Sequence, residues 1–369
     1  MRVAVLDTGV DVEHPDFRRC LARSESTVTC MTFSGELADV HGHGTHVAGI
    51  IAGSGEASGG RYRGVAPGVE LVVIKVSDRG SGFGGDVAAG VLHALEVGVD
   101  IINYSGGQAA IGRGPWKWPQ KLSKRDEAFR YASDRGVLCV AAAGNEGPDP
   151  GTVIRPGALP EVLCVGATAP PTYHVAARSA RGPVYIDSTL PKNQVARADP
   201  DYDQLITVRK PDVVAPGGSA LTPHEYDSEP LIGDAIIPFG PVSARSRRGK
   251  FLGIDPGDPA CLYMRMSGTS QATAVVSGLA ALLLDAGKRA GADFGDNQGL
   301  ALREILKNAA RSLTVGTPDD YGHGALIWPN VVATLDEFIH EPVCRERILK
   351  GPQLRLATDW ANTRKDRPC

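Results

Sequence analysis

Apolar residues in the first half of the chain come in short continuous runs, not in strict alternation. VAVLD (Val3–Asp7), ELVVIKV (Glu70–Val76), IINYS (Ile101–Ser105), VLCVAAAG (Val137–Gly144) and EVLCVGA (Glu161–Ala167) are each bounded by turn residues. Such runs predict strands buried on both faces. Between them the apolar positions take up helical spacing: HVAGIIAG after His43, DVAAGVLHALEVG over Asp86–Gly98, and KRDEAFRYASDRG over Lys124–Gly136. Strands and helices in alternation predict an α/β fold whose parallel sheet is covered on both faces. Ligands of such sheets bind beyond the carboxyl ends of the strands. Asp7, Ser105 and Asn145 stand at or just past those ends.

The pattern loosens afterwards. Segments of about 170–210 and 217–265 are rich in Pro, Asp, Arg and Ser and read as long surface insertions. Within the second, SARSRRGK (Ser243–Lys250) is a basic run expected to be a solvated loop. Helical patterning returns over Thr269–Arg289, Asn297–Ser312 and Pro329–Ile339. Residues 341–369 are charged and weakly patterned, and are expected to be a C-terminal extension to a domain spanning 1–340.

Composition narrows the function classes. Across 369 residues, 42% are hydrophobic and 22% charged, with a net charge of −3, so no electrostatic case exists for nucleic acid or an anionic membrane. No apolar stretch is long enough to be expected to span a bilayer: AVVSGLAALLL (Ala274–Leu284) is short and is interrupted by Ser277 and Gly278. The chain opens directly on a strand pattern without a signal peptide. That favours a cytoplasmic location, the alternative being a secreted protein whose signal and prosegment are missing. Seven cysteines are scattered with no zinc spacing. Cys139 and Cys164 read as small core residues, while Cys20 with Cys30, or Cys344 with Cys369, could pair in an oxidising compartment. Oligomeric state is left open.

Several short stretches carry candidate chemistry. Asp7 ends a buried strand, where an unpaired carboxylate is costly, so it should have a hydrogen-bonding partner. HGHGTHVAG (His41–Gly49) holds three histidines. His43 and His46 could share a zinc ion but lack matching further ligands, so none is expected. His46, set among Val47 and Ala48, reads as a core histidine, whereas His43 lies between two glycines at a loop-to-helix junction. Asn145 in AAAGNEG is either a turn residue or a donor to a developing oxyanion. In SGTSQATAVV, the hydroxyls of Ser267, Thr269, Ser270 and Thr273 are read in isolation as helix caps.

Together these stretches resemble the subtilisin-like (subtilase) serine proteases. AVLDTGVDVEHPDF resembles the family's Asp motif, HGHGTHVAG its His motif, MSGTSQATAVVSG its Ser motif, and AAAGNEG its oxyanion segment. The order Asp, His, Ser is that of subtilisin. The likeness runs from Val3 to about Leu335, with YGHGALIWPNVVATL resembling the family's closing helix. It implies a three-layer, doubly wound, mostly parallel sheet and a serine endopeptidase acting through an acyl-enzyme. Ser270 would then be the nucleophile, His43 the base and Asp7 its orienting acid, with Asn145 in the oxyanion hole. Ser105, Gly106 and Gly107, together with Ala142, Ala143 and Gly144, would pair with an extended polypeptide substrate. A peptide-maturation protease or transpeptidase is the alternative; a silent peptide-binding module is a third.

The chain departs from the family in places. Gln271 stands where Met is usual, so resistance to mild peroxide is expected. Ala274 and Val275 replace the family's Pro and His. Ile154 of TVIRPG falls where a small Gly lies at the base of the main specificity pocket, which implies small or medium P1 residues, with Glu146 at the rim. No cofactor is required. A structural calcium is allowed by Asp16, which matches one family ligand, but the N-terminal ligand is missing and the loop GSGEASGGRYRG is atypical.

Overall fold

The computed structural model describes residues 1–17, 38–78, 84–107, 122–169, 174–187, 205–218, 240–250 and 260–349. In chain order the first elements are β1 (Arg2–Asp7), α1 (His43–Ala52), β2 (Glu70–Lys75), α2 (Gly84–Val97), β3 (Ile101–Tyr104), α3 (Lys124–Asp134), β4 (Leu138–Ala142) and β5 (Leu163–Ala169). Then come the strands β6 (His174–Val175), β7 (Val184–Asp187), β8 (Leu205–Val208), β9 (Val213–Pro216), β10 (Val242–Ala244) and β11 (Tyr263–Arg265). The helices α4 (Thr269–Arg289), α5 (Gln298–Ala309), α6 (Pro318–Tyr321), α7 (Trp328–His340) and α8 (Pro342–Leu349) follow.

All five apolar runs form the strands predicted for them, and these lie side by side in the order β2-β1-β3-β4-β5, every pair parallel. β9 adds a parallel partner beyond β5, and β6 pairs antiparallel with the end of β5. The chain runs from β1 to β2 on one side, then crosses back to β3 on the other. That reversal opens a crevice at the carboxyl ends of β1 and β3.

Alternate residues of each strand feed two cores. Val3, Val5, Ile101, Leu138 and Val140 face α1, α4, α5 and α7, whereas Ala4, Leu6, Ile102, Cys139 and Ala141 face α2 and α3. The period of two thus makes three layers from one sheet. Both core cysteines are confirmed in place: Cys139 and Cys164 are free and buried, and burial pushes the Cys164 thiol up to about 12. Each suggested cysteine pair includes a residue outside the described ones.

Helix boundaries follow local chemistry. α3 starts at a capping box, the Ser123 hydroxyl accepting from Asp126 N–H at 3.2 Å and the Asp126 carboxylate from Ser123 N–H at 3.1 Å. α4 ends on Lys288 and Arg289, which suit the negative pole of its dipole. By length and composition α4 could cross a membrane, but 78% of its apolar window is buried inside the fold, as in the central helix of a packed domain.

Four features of the second half were not predicted. β9 is only four residues long and ends in Pro216. β7 with β8, and β10 with β11, form antiparallel pairs within the stretches read as insertions. α8 occupies the start of the region read as weakly patterned. The basic run is half buried: Ser243 and Ser246 point inward while Arg247, Arg248 and Lys250 are exposed. Its backbone is a strap across α1, not a free loop. The Ser243 hydroxyl donates to the His46 carbonyl at 2.9 Å, and Lys250 N–H donates to the His41 carbonyl at 3.2 Å.

Candidate active site

Asp7 is the last residue of β1, and His43 is the first residue of α1. They meet because α1 packs directly on the turn after β1: a Cβ on Gly44 would collide with the Gly9 carbonyl oxygen. His43 Nδ1 lies 2.7 Å from Asp7 Oδ1, which also accepts from Thr8 N–H at 2.8 Å. The carboxylate expected to need a partner therefore has two. Burial pulls the His43 pKa down, but the charge and hydrogen bond of Asp7, joined by the charge of Asp39, outweigh it. The group ends above its ordinary value of 6.5. His46 behaves oppositely. Burial holds it down at about 3, and its Nε2 lies 3.2 Å from the Met264 carbonyl oxygen, as a neutral core histidine would. The two histidines thus address different partners.

Ser270 lies in the first turn of α4, 8% exposed. Its hydroxyl donates to the Ser105 carbonyl at 3.0 Å, and the Ser105 hydroxyl donates to the Ser270 carbonyl at 3.0 Å. This reciprocal clasp continues inward: Asn103 Nδ2 donates to Ser105 Oγ at 3.1 Å, and the Ser277 hydroxyl to Asn103 Oδ1 at 2.9 Å. The chain of contacts ties α4 to the end of β3. A hydroxyl rotor can leave such a bond for another acceptor without moving the backbone, and catalytic hydrogen bonds often tighten only with substrate present.

The helix cap is not one of the crowded hydroxyls. It is Gly268, at φ 151°, with no side chain to offer. Thr269 N–H donates to Asn145 Oδ1 at 3.0 Å, and the Thr269 hydroxyl donates to the same oxygen at 3.1 Å. A backbone donor needs an acceptor, so this contact fixes which end of the Asn145 amide is oxygen. Among the described residues nothing accepts from the Asn145 NH2 or from Ser270 N–H. Thr273 is an ordinary helix residue, its hydroxyl bonded to the Thr269 carbonyl at 2.7 Å.

Ile154 fills the gap between two strand ends. A Cβ on Gly107 would collide with Ile154 Cδ1, and one on Gly144 would lie 2.9 Å from Ile154 Cγ2. Glu146 is exposed and folds back, its carboxylate accepting from Asn145 N–H at 2.8 Å. The expected substrate edge of Ala142, Ala143 and Gly144 needs correction, because its backbone is already engaged. Ala142 is paired within β4, Ala143 bonds to Val165 and Ile154, and the Gly144 carbonyl accepts from Ala180. By contrast, the backbone groups of Gly106 and Gly107 meet no partner among the described residues. Asp16, the allowed calcium ligand, has both oxygens occupied, accepting from Tyr263 O–H at 2.8 Å and Ala57 N–H at 3.1 Å. Asp16 is 1% exposed, and these are the two donors its carboxylate meets among the described residues.

Sequence reasoning missed Asp39. It is buried and lies four residues before His43, where its carboxylate gathers the N–H groups that open α1. An Asp just ahead of a Gly-rich turn into a helix was the available signal.

Known proteins are similar to this chain in sequence and fold. A family profile described as "Subtilase family" matches residues 1–324. Serine protease AprX of Bacillus subtilis (strain 168) is 30% identical over 349 residues, covering 89% of this chain and 65% of AprX. Subtilisin Savinase of Lederbergia lenta is 28% identical over 325 residues, covering 88% of this chain and 87% of its own. Among solved structures, the protease domain of PatA superposes with a TM-score of 0.63 at 26% identity, covering 91% of this chain and 95% of that one. The chain thus spans less than two thirds of AprX. The fold, the ordered motifs and the family match agree, and the chain belongs to the subtilase family.

Proposed function

We propose that this protein is a serine endopeptidase that hydrolyses peptide bonds of extended polypeptides through an acyl-enzyme. Ser270 Oγ attacks the substrate carbonyl carbon while His43 accepts its proton, and Asp7 orients the imidazole and stabilises its cation. The carbonyl oxygen becomes an oxyanion facing the Asn145 NH2 and Ser270 N–H. As the C–N bond breaks, His43 returns the proton to the departing amine. Water, activated by the same imidazole, then hydrolyses the ester. The single observation that carries this reading is the anchored Asn145 amide, whose free NH2 stands beside a helix start with no side-chain cap. Two uncommitted donors at a helix N-terminus suit a charge that exists only in the transition state.

The backbone of Gly106 and Gly107, which meets no partner among the described residues, is the edge on which we place the substrate strand. Ile154 shortens the neighbouring pocket, so small or medium P1 side chains are the expected substrates. A peptide-library profile dominated by Phe or Tyr at P1 would oppose this. The acyl-transfer chemistry proposed here uses no cofactor, and the Tyr263 hydroxyl donates to Asp16.

Fluorophosphonate labelling tests the core claim. The wild type should label at Ser270 and Ser270→Ala should not. A wild type that fails to label defeats the proposal, while ligated or cyclised peptide products would redirect it to transpeptidation.

A further inference from the structure

Asp39 is 1% exposed, and no step above uses it. Its carboxylate accepts five hydrogen bonds. Oδ1 receives the Thr8 hydroxyl at 2.9 Å, His41 N–H at 3.1 Å and Gly42 N–H at 2.7 Å. Oδ2 receives Thr45 N–H at 2.9 Å and the Thr45 hydroxyl at 2.6 Å. Every donor belongs to the frame around the Asp7–His43 pair. Thr8 follows Asp7, its Oγ1 also accepting from Gly44 N–H at 2.9 Å, while His41, Gly42 and Thr45 flank His43. Buried carboxylates are expensive unless they are this fully hydrogen-bonded.

The strap of residues 240–250 closes over the same point. The Ser246 hydroxyl donates to the Asp39 carbonyl at 2.6 Å, and a Cβ on Gly249 would lie 3.0 Å from Gly42 Cα. Arg247 pins the strap from outside, its Nε 2.9 Å from Asp11 Oδ2. Shielded from water by this cover, the Asp39 charge acts on nearby groups with less screening than a surface carboxylate would.

We infer that Asp39 is a positioning residue of the acyl-transfer site, holding His43 against Asp7 and supporting the imidazolium formed when Ser270 loses its proton. This rests on the protease reading above. The charges around His43 are consistent with it. Asp7 faces His43 from β1, and Asp39 faces it from its own segment. His46 is held neutral. His41, whose ring centroid lies 6.2 Å from that of His43, is kept below its ordinary value by burial and then by His43. Lys250 on the strap faces His41. Among the described residues, Asp7 and Asp39 are therefore the two anions acting on an imidazolium at His43.

Asp39→Asn keeps the shape, removes the charge and turns part of an all-acceptor group into a donor. Activity should fall about 10- to 100-fold in kcat with KM within about twofold, as when a catalytic base is poorly poised. The decisive readout is the NMR titration of His43 in a Ser270→Ala background, which needs no turnover. Adding Asp39→Asn should move it to lower pH by about half a unit to one unit. An unchanged titration overturns the inference.

If Asp39→Asn does not fold, Thr45→Val keeps the carboxylate and removes one hydrogen bond at Oδ2. The less neutralised carboxylate should then raise the His43 titration while kcat falls. Unchanged titration and unchanged kcat in Thr45→Val also overturn the inference. A wild type that neither labels nor cleaves casein would instead defeat the protease reading, and the His43 titration still reports on Asp39.

Discussion

α1 and α4 each carry a residue of the proposed site in the first turn, His43 and Ser270, yet their terminal N–H groups meet different fates. At α1, Gly42 and Thr45 donate to Asp39 and Gly44 donates to Thr8. At α4, Gly268 and Thr269 donate to Gly217 and Asn145, but Ser270 and Gln271 N–H find no acceptor among the described residues. Helix starts normally leave such donors for a cap or a ligand. At α1 an internal anion takes two of the four donors and Thr8 a third, leaving His43 N–H without an acceptor among the described residues, and these contacts stiffen the proposed base. The start of α4 is left open, which suits a charge that comes and goes. Rigidity and unsatisfied capacity are thus divided between two elements.

Removing the donor side chain at the open start should have the largest effect. Asn145→Ala is expected to lower kcat by about 10²–10³-fold with little change in KM, the order known for the corresponding asparagine of subtilisin. A loss under tenfold in steady-state hydrolysis would mean the open donors are not what the reaction uses.

Gly268→Ala should act less strongly. The new Cβ would sit 3.2 Å from Asn145 Oδ1 in a backbone conformation that favours glycine, costing about 1–3 kcal/mol and roughly tenfold in kcat. Wild-type kcat in a melted-temperature-matched assay would break the comparison at α4.

The environment of His43 at the α1 start predicts a shift, not a loss. Catalysis needs neutral His43, whose pKa lies above 6.5, so kcat/KM should decline on the acid side through an apparent value higher than that. A pH–rate profile that stays flat below 6.5 would contradict it.

The smallest effect concerns the region beside the strap. Chelation with EDTA should leave the melting temperature unchanged, because Asp16 is satisfied by Tyr263. Tyr263→Phe should destabilise by about 1–3 kcal/mol, since it strands a buried carboxylate oxygen. A melting point that drops in EDTA and returns with calcium would point to a metal.

The strands were legible in the sequence for physical reasons, and so were the residues proposed to react. A strand covered on both faces must be apolar throughout, so β1 to β5 announce themselves, and Asp7, His43, Asn145 and Ser270 each interrupt an otherwise regular junction. β9 was hidden because four residues ending in Pro216 carry too little pattern. The strap was hidden because Ser243 and Ser246 turn inward beneath neighbouring arginines, so local charge outweighed the buried spacing. Asp39 drew no reading from the sequence, since what makes it special is the set of donors brought to it by β1 and α1. The caps suggested by Ser267 and Thr269 failed because the residue in the cap position, Gly268, contributes by having no side chain.

The Ser105–Ser270 clasp joins residues 165 apart in the chain, Asn145 and Thr269 are 124 apart, and Asp7 and His43 are 36 apart. Contacts this distant form late, because closing long loops costs entropy before the contacts can repay it. A chain emerging from the ribosome therefore carries Ser270 as an ordinary alcohol until α4 has docked across the finished sheet. On the protease reading proposed above, topology then limits the hazard of the chain cutting its own unfolded copies, because the site needs contacts from distant parts of the sequence.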